Sequence, residues 1–340
     1  MQPSNSWVCL SALDKQTTVA TAFLDNRGLA YADGFFTTMG VIKGQILWAD
    51  YHHQRLISHG KALQLDLDSH TLLAILKTYA AQLQQGMLKL IITRAVQDIR
   101  GYGYLPSECG SACEIWLKSS AMTVGTAEQL PMADGSFVPV QPMSTAVCLS
   151  SQLACLPPSL AGLKSLNRLD NVLASAELQG IKAQLSKQNV QMPNNQAPNN
   201  QAPDIELTIA EGLLRDMTGH WVEGTMSNVF YQLSDSRLVE SPSSEINNTA
   251  NIDKGSADKL HVNYLTQGQW YTPSMAQSGV AGVMRQVIID ALSTTKYPVI
   301  VRSLQDEDLS QLSQLFFCNA LRGIMPMTSL TLLTGEMVSF

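Results

Sequence analysis

Basic runs are missing from this sequence. Its 340 residues carry 22 Lys+Arg against 28 Asp+Glu, a formal charge of -6. No Lys/Arg-rich stretch offers a footprint for a phosphate backbone, so nucleic acid is not an expected partner. Long apolar runs are missing too. Nothing approaches the roughly 20 residues a bilayer-spanning helix needs, and residues 1–10 have neither a basic start nor an apolar stretch of signal-peptide length. The expected address is the cytoplasm, without a membrane partner. Cysteines are few: Cys9, Cys109, Cys113, Cys148, Cys155 and Cys318. None has Cys-x-x-Cys spacing, which removes a zinc-ligand pattern and leaves reduced, structural thiols and no metal site as the expectation.

What is present is an interleaved pattern. Hydrophobic residues are 45% and charged residues 15%, the balance of a globular chain rather than a disordered one, and the length points to about two domains. Helical spacing runs over 50–65 and 69–83, followed by apolar strand segments at 87–93 and 114–117. These form a smaller first domain, residues 1–122. From 119 to 142 the chain turns rich in Ser, Gly, Ala and Pro, which places the crossover early in that stretch. The larger second domain, 123–340, reads as a strand at 145–150, a helix over 163–185, strands near 205–215, 221–223 and 228–232, and a helix over 284–292. Segments near 188–203 and 234–258 are polar without periodicity and read as surface insertions. The fold class is α/β (α+β).

Four places carry chemistry. Lys164, at the start of the helix expected from 163 and with apolar neighbours, is a candidate amine that burial would make easy to neutralise, the property of a Schiff-base lysine. A solvated helix-start lysine is the plain alternative. Glu223, among strand residues before a Gly-Thr-Met-Ser turn, suits a carboxylate partner for a ring nitrogen, or is simply an exposed strand glutamate. Gly279-Val-Ala-Gly-Val-Met-Arg285 opens into a helix whose exposed amides suit an anion, or is an ordinary turn. Arg55 can grip phosphate in bidentate fashion, or make a surface ion pair. His52 and His53, beside it, lack metal-like partners and read as capping or packing residues.

Order and wording together resemble a known family. The segments are Asn26-Arg-Gly-Leu-Ala-Tyr-Ala-Asp-Gly-Phe-Phe-Thr-Thr38, His53-Gln-Arg-Leu56, Leu88-Lys-Leu-Ile-Ile-Thr-Arg94, Arg100-Gly-Tyr102, Gly162-Leu-Lys-Ser-Leu-Asn-Arg-Leu169, Val222-Glu223 with Ser227-Asn-Val-Phe230, the glycine loop from Gly279, and Cys318-Asn-Ala320 with Met325-Pro-Met327. They resemble the class IV, branched-chain/D-amino-acid-aminotransferase type of pyridoxal-phosphate enzyme, and within it the aminodeoxychorismate lyases.

The resemblance implies a two-domain class IV fold, pyridoxal 5'-phosphate as cofactor and a homodimer acting on a small molecule. It makes Lys164 the lysine that carries the cofactor, Glu223 the partner of its ring nitrogen and Arg55 a phosphate ligand. Asn228, the amides of Val280 and Ala281, and the turn at Asn319 and Ala320 complete the cofactor site. Asn167 and Arg168 support the lysine. Thr38 is a candidate hydroxyl near the reacting centre, and Arg100, Tyr102 and Tyr104 are candidates for gripping substrate carboxylates, from the same chain or a dimer partner. Three positions depart from the lyase pattern: Ser165 where histidine is common, Arg94-Ala95 where Arg-Gly is common, and a slightly longer loop from Arg94 to Arg100. The rival implied by the same resemblance is a branched-chain or D-amino-acid aminotransferase. A non-catalytic relation serving as a binding module is a third reading.

Overall fold

Period-two burial along the strands builds two sheets. In the computed structural model, residues 7–12, 25–105, 108, 110–123, 128–131, 137–191, 208–234 and 265–340 are described. The first sheet is five-stranded, in the order β1-β5-β4-β2-β3, from β1 (Trp7–Cys9), β2 (Gly34–Ile42), β3 (Gln45–Ile46), β4 (Gly86–Arg94) and β5 (Cys113–Ala121). All its neighbours are antiparallel. Phe35, Met39 and Val41 on β2 and Leu88, Leu90 and Ile92 on β4 are buried in one core. Phe36 and Thr38, on the alternate positions of β2, are half-buried, as is Lys89 opposite Thr38 on β4. The pleat thus separates a core face from a face that lines a cavity.

Helices α1 (Arg27–Tyr31), α2 (Ala49–Ala62) and α3 (Ser69–Leu83) accompany this sheet. Leu72, Leu76, Ala80 and Leu83 recur at helical spacing on α3 and enter the same core. Each fully buried leucine contributes about 1.5 to 3 kcal/mol relative to exposure. Asp68 caps α3 by accepting the Thr71 N–H at 3.0 Å.

The second sheet has eleven strands and begins with β6 (Glu128–Pro131), after the first has ended at Ala121. Its central run is mixed. β8 (Ser144–Leu153) lies parallel to both β9 (Ile209–Asp216) and β15 (Gly323–Thr331). β10 (Trp221–Gly224) and β11 (Asn228–Leu233) form an antiparallel pair around the turn that follows Glu223. Helix α4 (Leu169–Gln191) packs Ala174 and Leu178 against Val147, Leu149 and Leu214. Helix α5 (Val283–Leu292) buries Met284, Val287 and Ile288 against Phe230 and Phe316, with Trp48 and Tyr51 closing the cluster.

The helix expected from 163 begins at Leu169. Residues 162–166 are non-helical instead, because they bridge to other segments: Ser165 pairs antiparallel with Phe35, and Gly162 pairs parallel with Val280. The expected insertion near 188–203 begins with the end of α4, and its remainder from 192, like the stretch 235–258 of the second, lies outside the described residues. Among the described residues, no helix is long and apolar enough to cross a membrane.

Candidate active site

Lys164 is held by its backbone between the two sheets. Its N–H donates to His59 Nε2 at 2.9 Å, and its carbonyl accepts the Phe36 N–H at 3.0 Å. Arg168 Nη2 donates to the Leu163 carbonyl at 2.7 Å, steadying the segment from the other end. The lysine Nζ stands 4.7 Å from the Phe36 ring centroid. Burial, then the Arg55 cation, pull the amine down to about 8, with Glu223 opposing. An amine so lowered is partly neutral near neutrality, which a nucleophile requires.

His52, Arg55 and His59 share one face of α2, at spacing i, i+3 and i+7, and reach β2, the N-terminus of α5 and the lysine backbone in turn. His52 Nδ1 hydrogen-bonds with the Thr37 hydroxyl at 2.9 Å. Arg55 Nη2 donates to the Ala281 carbonyl at 2.6 Å, which brings its guanidinium to the N-terminus of α5. Burial lowers Arg55 to about 10, still a cation at neutral pH.

Glu223 is only 3% exposed. Its Oε2 accepts the Val280 N–H at 2.8 Å, and its Oε1 accepts from Asn171 Nδ2 at 3.3 Å. Burial pushes the carboxyl up to about 7, against the pull of the Val280 N–H and Arg168. The turn after it is fixed from beneath by Glu211, whose carboxylate accepts the Thr225 N–H at 3.0 Å and the Ser227 hydroxyl at 2.7 Å.

The loop beside Glu223 depends on two glycines. Gly279 has φ +76, and a Cβ there would stand 3.0 Å from Glu223 Oε2. Gly282 caps α5, and a Cβ would run into Asn228 Oδ1. Asn228 Nδ2 donates to the Val280 carbonyl at 2.8 Å, fixing the same loop.

Lys164, Arg55, Glu223, Asn228, Thr38 and Lys89 line one cavity of about 480 Å³. Val280, Asn319 and Ala320 also line it, the turn at Asn319 being set by its Oδ1, which accepts the Leu321 and Arg322 amides at 3.1 and 2.8 Å.

The Val280 and Ala281 amides, expected at the cofactor, are already engaged within the chain. The first is engaged by Glu223 and the second donates to the Gly162 carbonyl at 2.9 Å. The amides left for an anion are those of Gly282 and the next two residues, which have no acceptor within their own helix.

Arg100, Tyr102 and Tyr104 are not among the described residues lining the cavity. Their loop is pinned by Arg27, whose guanidinium donates to the Tyr102 and Gly103 carbonyls at 3.1 Å and ion-pairs with Asp33 at 2.9 Å. Tyr104 lies under the Arg94 guanidinium, 3.8 Å from ring centroid, and donates to Gln64 Oε1 at 2.6 Å. Tyr102 is 84% exposed.

The family model for amino-transferase class IV matches residues 34–185 and 204–330, which include most strands of both sheets and every residue that lines the cavity. The chain belongs to the class IV aminotransferase family. An aminodeoxychorismate lyase from Vibrio harveyi is 22% identical over 309 residues, 91% of this chain and 87% of that one. The 4-amino-4-deoxychorismate lyase structure from Pseudomonas aeruginosa has a TM-score of 0.64 at 26% identity, covering 96% of this chain and 91% of that one. A hypothetical aminotransferase from Mycobacterium tuberculosis, in its PLP-bound form, shares the fold with a TM-score of 0.60 at 15% identity, covering 98% and 93%.

The class IV cofactor is pyridoxal phosphate, and the residues present fit it. The cavity holds an amine lowered toward neutrality, a buried carboxyl, and a cation joined to an open helix N-terminus where Gly282 leaves room. Sequence reasoning passed over His59, Glu211 and Lys89. Only Lys89 left a signal there, as a cation alternating with apolar residues on a strand.

Proposed function

We propose that this class IV enzyme is a lyase converting 4-amino-4-deoxychorismate to 4-aminobenzoate and pyruvate, a step toward folate. Lys89 carries the choice within the family. It places a cation on the cavity wall opposite Thr38, its Nζ 5.7 Å from the Phe36 ring centroid. A dicarboxylate substrate gains from that charge, whereas the apolar side chain of a branched-chain amino acid would have to desolvate it. The likeness to two lyases over nearly the whole chain supports the same reading.

Bound pyridoxal phosphate supplies an electron sink for the carbon that bears the substrate amine. In this reading the chain's residues do the rest. Arg55 and the first amides of α5 hold the phosphate. Glu223, buried beside the loop into α5, would accept a hydrogen bond from the ring nitrogen as its carboxylate and so keep a proton there. Lys164 holds the cofactor between turnovers, and its freed amine takes the proton from the amine-bearing carbon. Loss of that proton and expulsion of enolpyruvate leave the carbocycle aromatic. Thr38, facing the cavity from β2, is placed to hand a proton to the departing group.

We propose further that the enzyme works as a homodimer. Leu169, Val172 and Leu173 on the first turns of α4 are 72%, 59% and 66% exposed, an apolar face beside a cavity that Val172 also lines. Arg100, Tyr102 and Tyr104, which do not line their own chain's cavity among the described residues, are in such a dimer the candidates for reaching the substrate of the neighbour.

Supplying 4-amino-4-deoxychorismate as sole substrate tests the reaction. Pyruvate, followed with lactate dehydrogenase, and the fluorescent aromatic amine are expected in equal amounts with no keto acid added. Turnover of amino acids that requires a keto-acid acceptor, with no pyruvate from aminodeoxychorismate, would assign the chain to the aminotransferases.

A further inference from the structure

His59, on α2, touches the backbone of the reactive lysine. Its Nε2 accepts the Lys164 N–H at 2.9 Å, so the ring proton belongs on Nδ1. Nδ1 lies 3.1 Å from the Ser58 hydroxyl, which donates in turn to the Arg55 carbonyl at 3.2 Å. The ring packs on Phe35 with centroids 5.2 Å apart. Phe35 precedes the residue whose N–H holds the Lys164 carbonyl, so the imidazole and β2 grip Lys164 on both sides of its Cα.

Only a neutral imidazole can do this. Burial, helped by Arg55, Lys164 and Arg168, pushes His59 down to about 3, and these three cations with Ser58 and Phe35 are the groups that face it. The acceptor therefore persists at every pH where the enzyme would work.

We infer that His59 is a positioning residue for Lys164: its imidazole accepts the lysine's backbone N–H and so sets where the amine stands between Arg55 and Glu223. The same helix then fixes both ends of the cofactor site, the phosphate end through Arg55 and the amine end through His59. This inference rests on the reading of Lys164 as the lysine that carries the cofactor.

A double-mutant cycle tests it, with pyridoxal phosphate titrated into apo-enzyme. His59→Phe keeps the ring against Phe35 and removes the acceptor. With Lys164 present, it is expected to weaken cofactor affinity roughly five- to fifty-fold, the cost of ordering, on binding, a lysine residue that is no longer held in place. In a Lys164→Ala background the same change is expected to alter affinity less than about two-fold, since there is no amine left to misplace. His59→Gln, which offers a carbonyl acceptor, is expected to recover most of the loss. If His59→Phe does not fold, His59→Met against His59→Gln completes the same cycle. Equal losses in both backgrounds would overturn the inference, because His59 would then act on the phosphate end or on the fold at large. So would wild-type affinity in the acceptor-free variant. A Lys164→Ala protein that keeps a borohydride-sensitive visible band would instead refute the assignment of the lysine, independently of His59.

Discussion

Glu223 Oε2 accepts the Val280 N–H at 2.8 Å, tying the buried acid to the loop that leads into α5. Two residues on, Gly282 caps that helix, and the Ala281 carbonyl between them accepts from Arg55. The groups proposed for the ring nitrogen and for the phosphate of the cofactor are thereby joined through three consecutive residues. Movement of this loop would disturb both, and a Cβ at Gly279 or Gly282, meeting Glu223 or Asn228, would force such a movement.

Replacing the acid by its amide should change the pH dependence of stability in the apo-enzyme. Glu223 is raised from 4.5 to about 7 on folding. Between those values the folded chain binds more protons than the unfolded chain, so stability falls as pH rises through the window. Glu223→Gln cannot ionise and lacks that loss. Relative to wild type it should gain on the order of 1 to 3 kcal/mol from the lower to the upper end of the window. Urea unfolding of both apo-proteins at the two ends measures this, and a constant difference would mean that Glu223 is not raised.

Arg55→Ala should weaken retention of pyridoxal phosphate more than it slows the saturated enzyme, since the proposed contact is to a phosphate that does not react. A charge-assisted hydrogen bond contributes about 1.5 to 3 kcal/mol, roughly ten- to a hundred-fold in affinity. Titration of cofactor into apo-enzyme reads it, and unchanged affinity would contradict the role.

Lys89→Met should act on the substrate and leave the cofactor alone. The methionine keeps most of the side-chain volume on β4 and removes the cation from the wall opposite Thr38. The visible band of the bound cofactor should be unchanged, while KM for aminodeoxychorismate rises about ten-fold or more. An unaltered KM would remove the observation that favours the lyase over the aminotransferase.

Much of this architecture was legible in the sequence, for identifiable reasons. The strand over 87–93 is legible because Leu88, Leu90 and Ile92 alternate with residues on the cavity face, and α5 because its apolar positions recur at helical spacing. The start of α4 differs from the expected one because 162–166 contain good helix formers, and their non-helical course is imposed by pairing with Phe35 and Val280, partners distant in the chain. The same non-locality misassigned the loop amides: nothing in Gly279 to Arg285 records that Glu223 and Gly162 occupy two of them. His59 was invisible because a histidine on an amphipathic helix has no signal of its own until its partner, more than a hundred residues away, is known.

Mixing two inactive variants tests the proposed dimer. If Arg100 serves the neighbouring site, Arg100→Ala and Lys164→Ala are each inactive as homodimers. Random reassortment makes half the molecules hybrids with one complete site each, so about a quarter of the wild-type rate should return. No recovery after verified exchange of subunits would place Arg100 in its own chain's site or outside the reaction.

The central claim is that Lys164, held between His59 and Phe36 and facing Arg55 and Glu223, is the amine that carries the cofactor. Reducing the pyridoxal-phosphate-loaded enzyme with borohydride, digesting it and locating the phosphopyridoxyl group by mass spectrometry tests this directly. The account predicts one stoichiometric label, on Lys164, and none in Lys164→Ala. A label on Lys89 or any other lysine, with Lys164 unmodified, would contradict it.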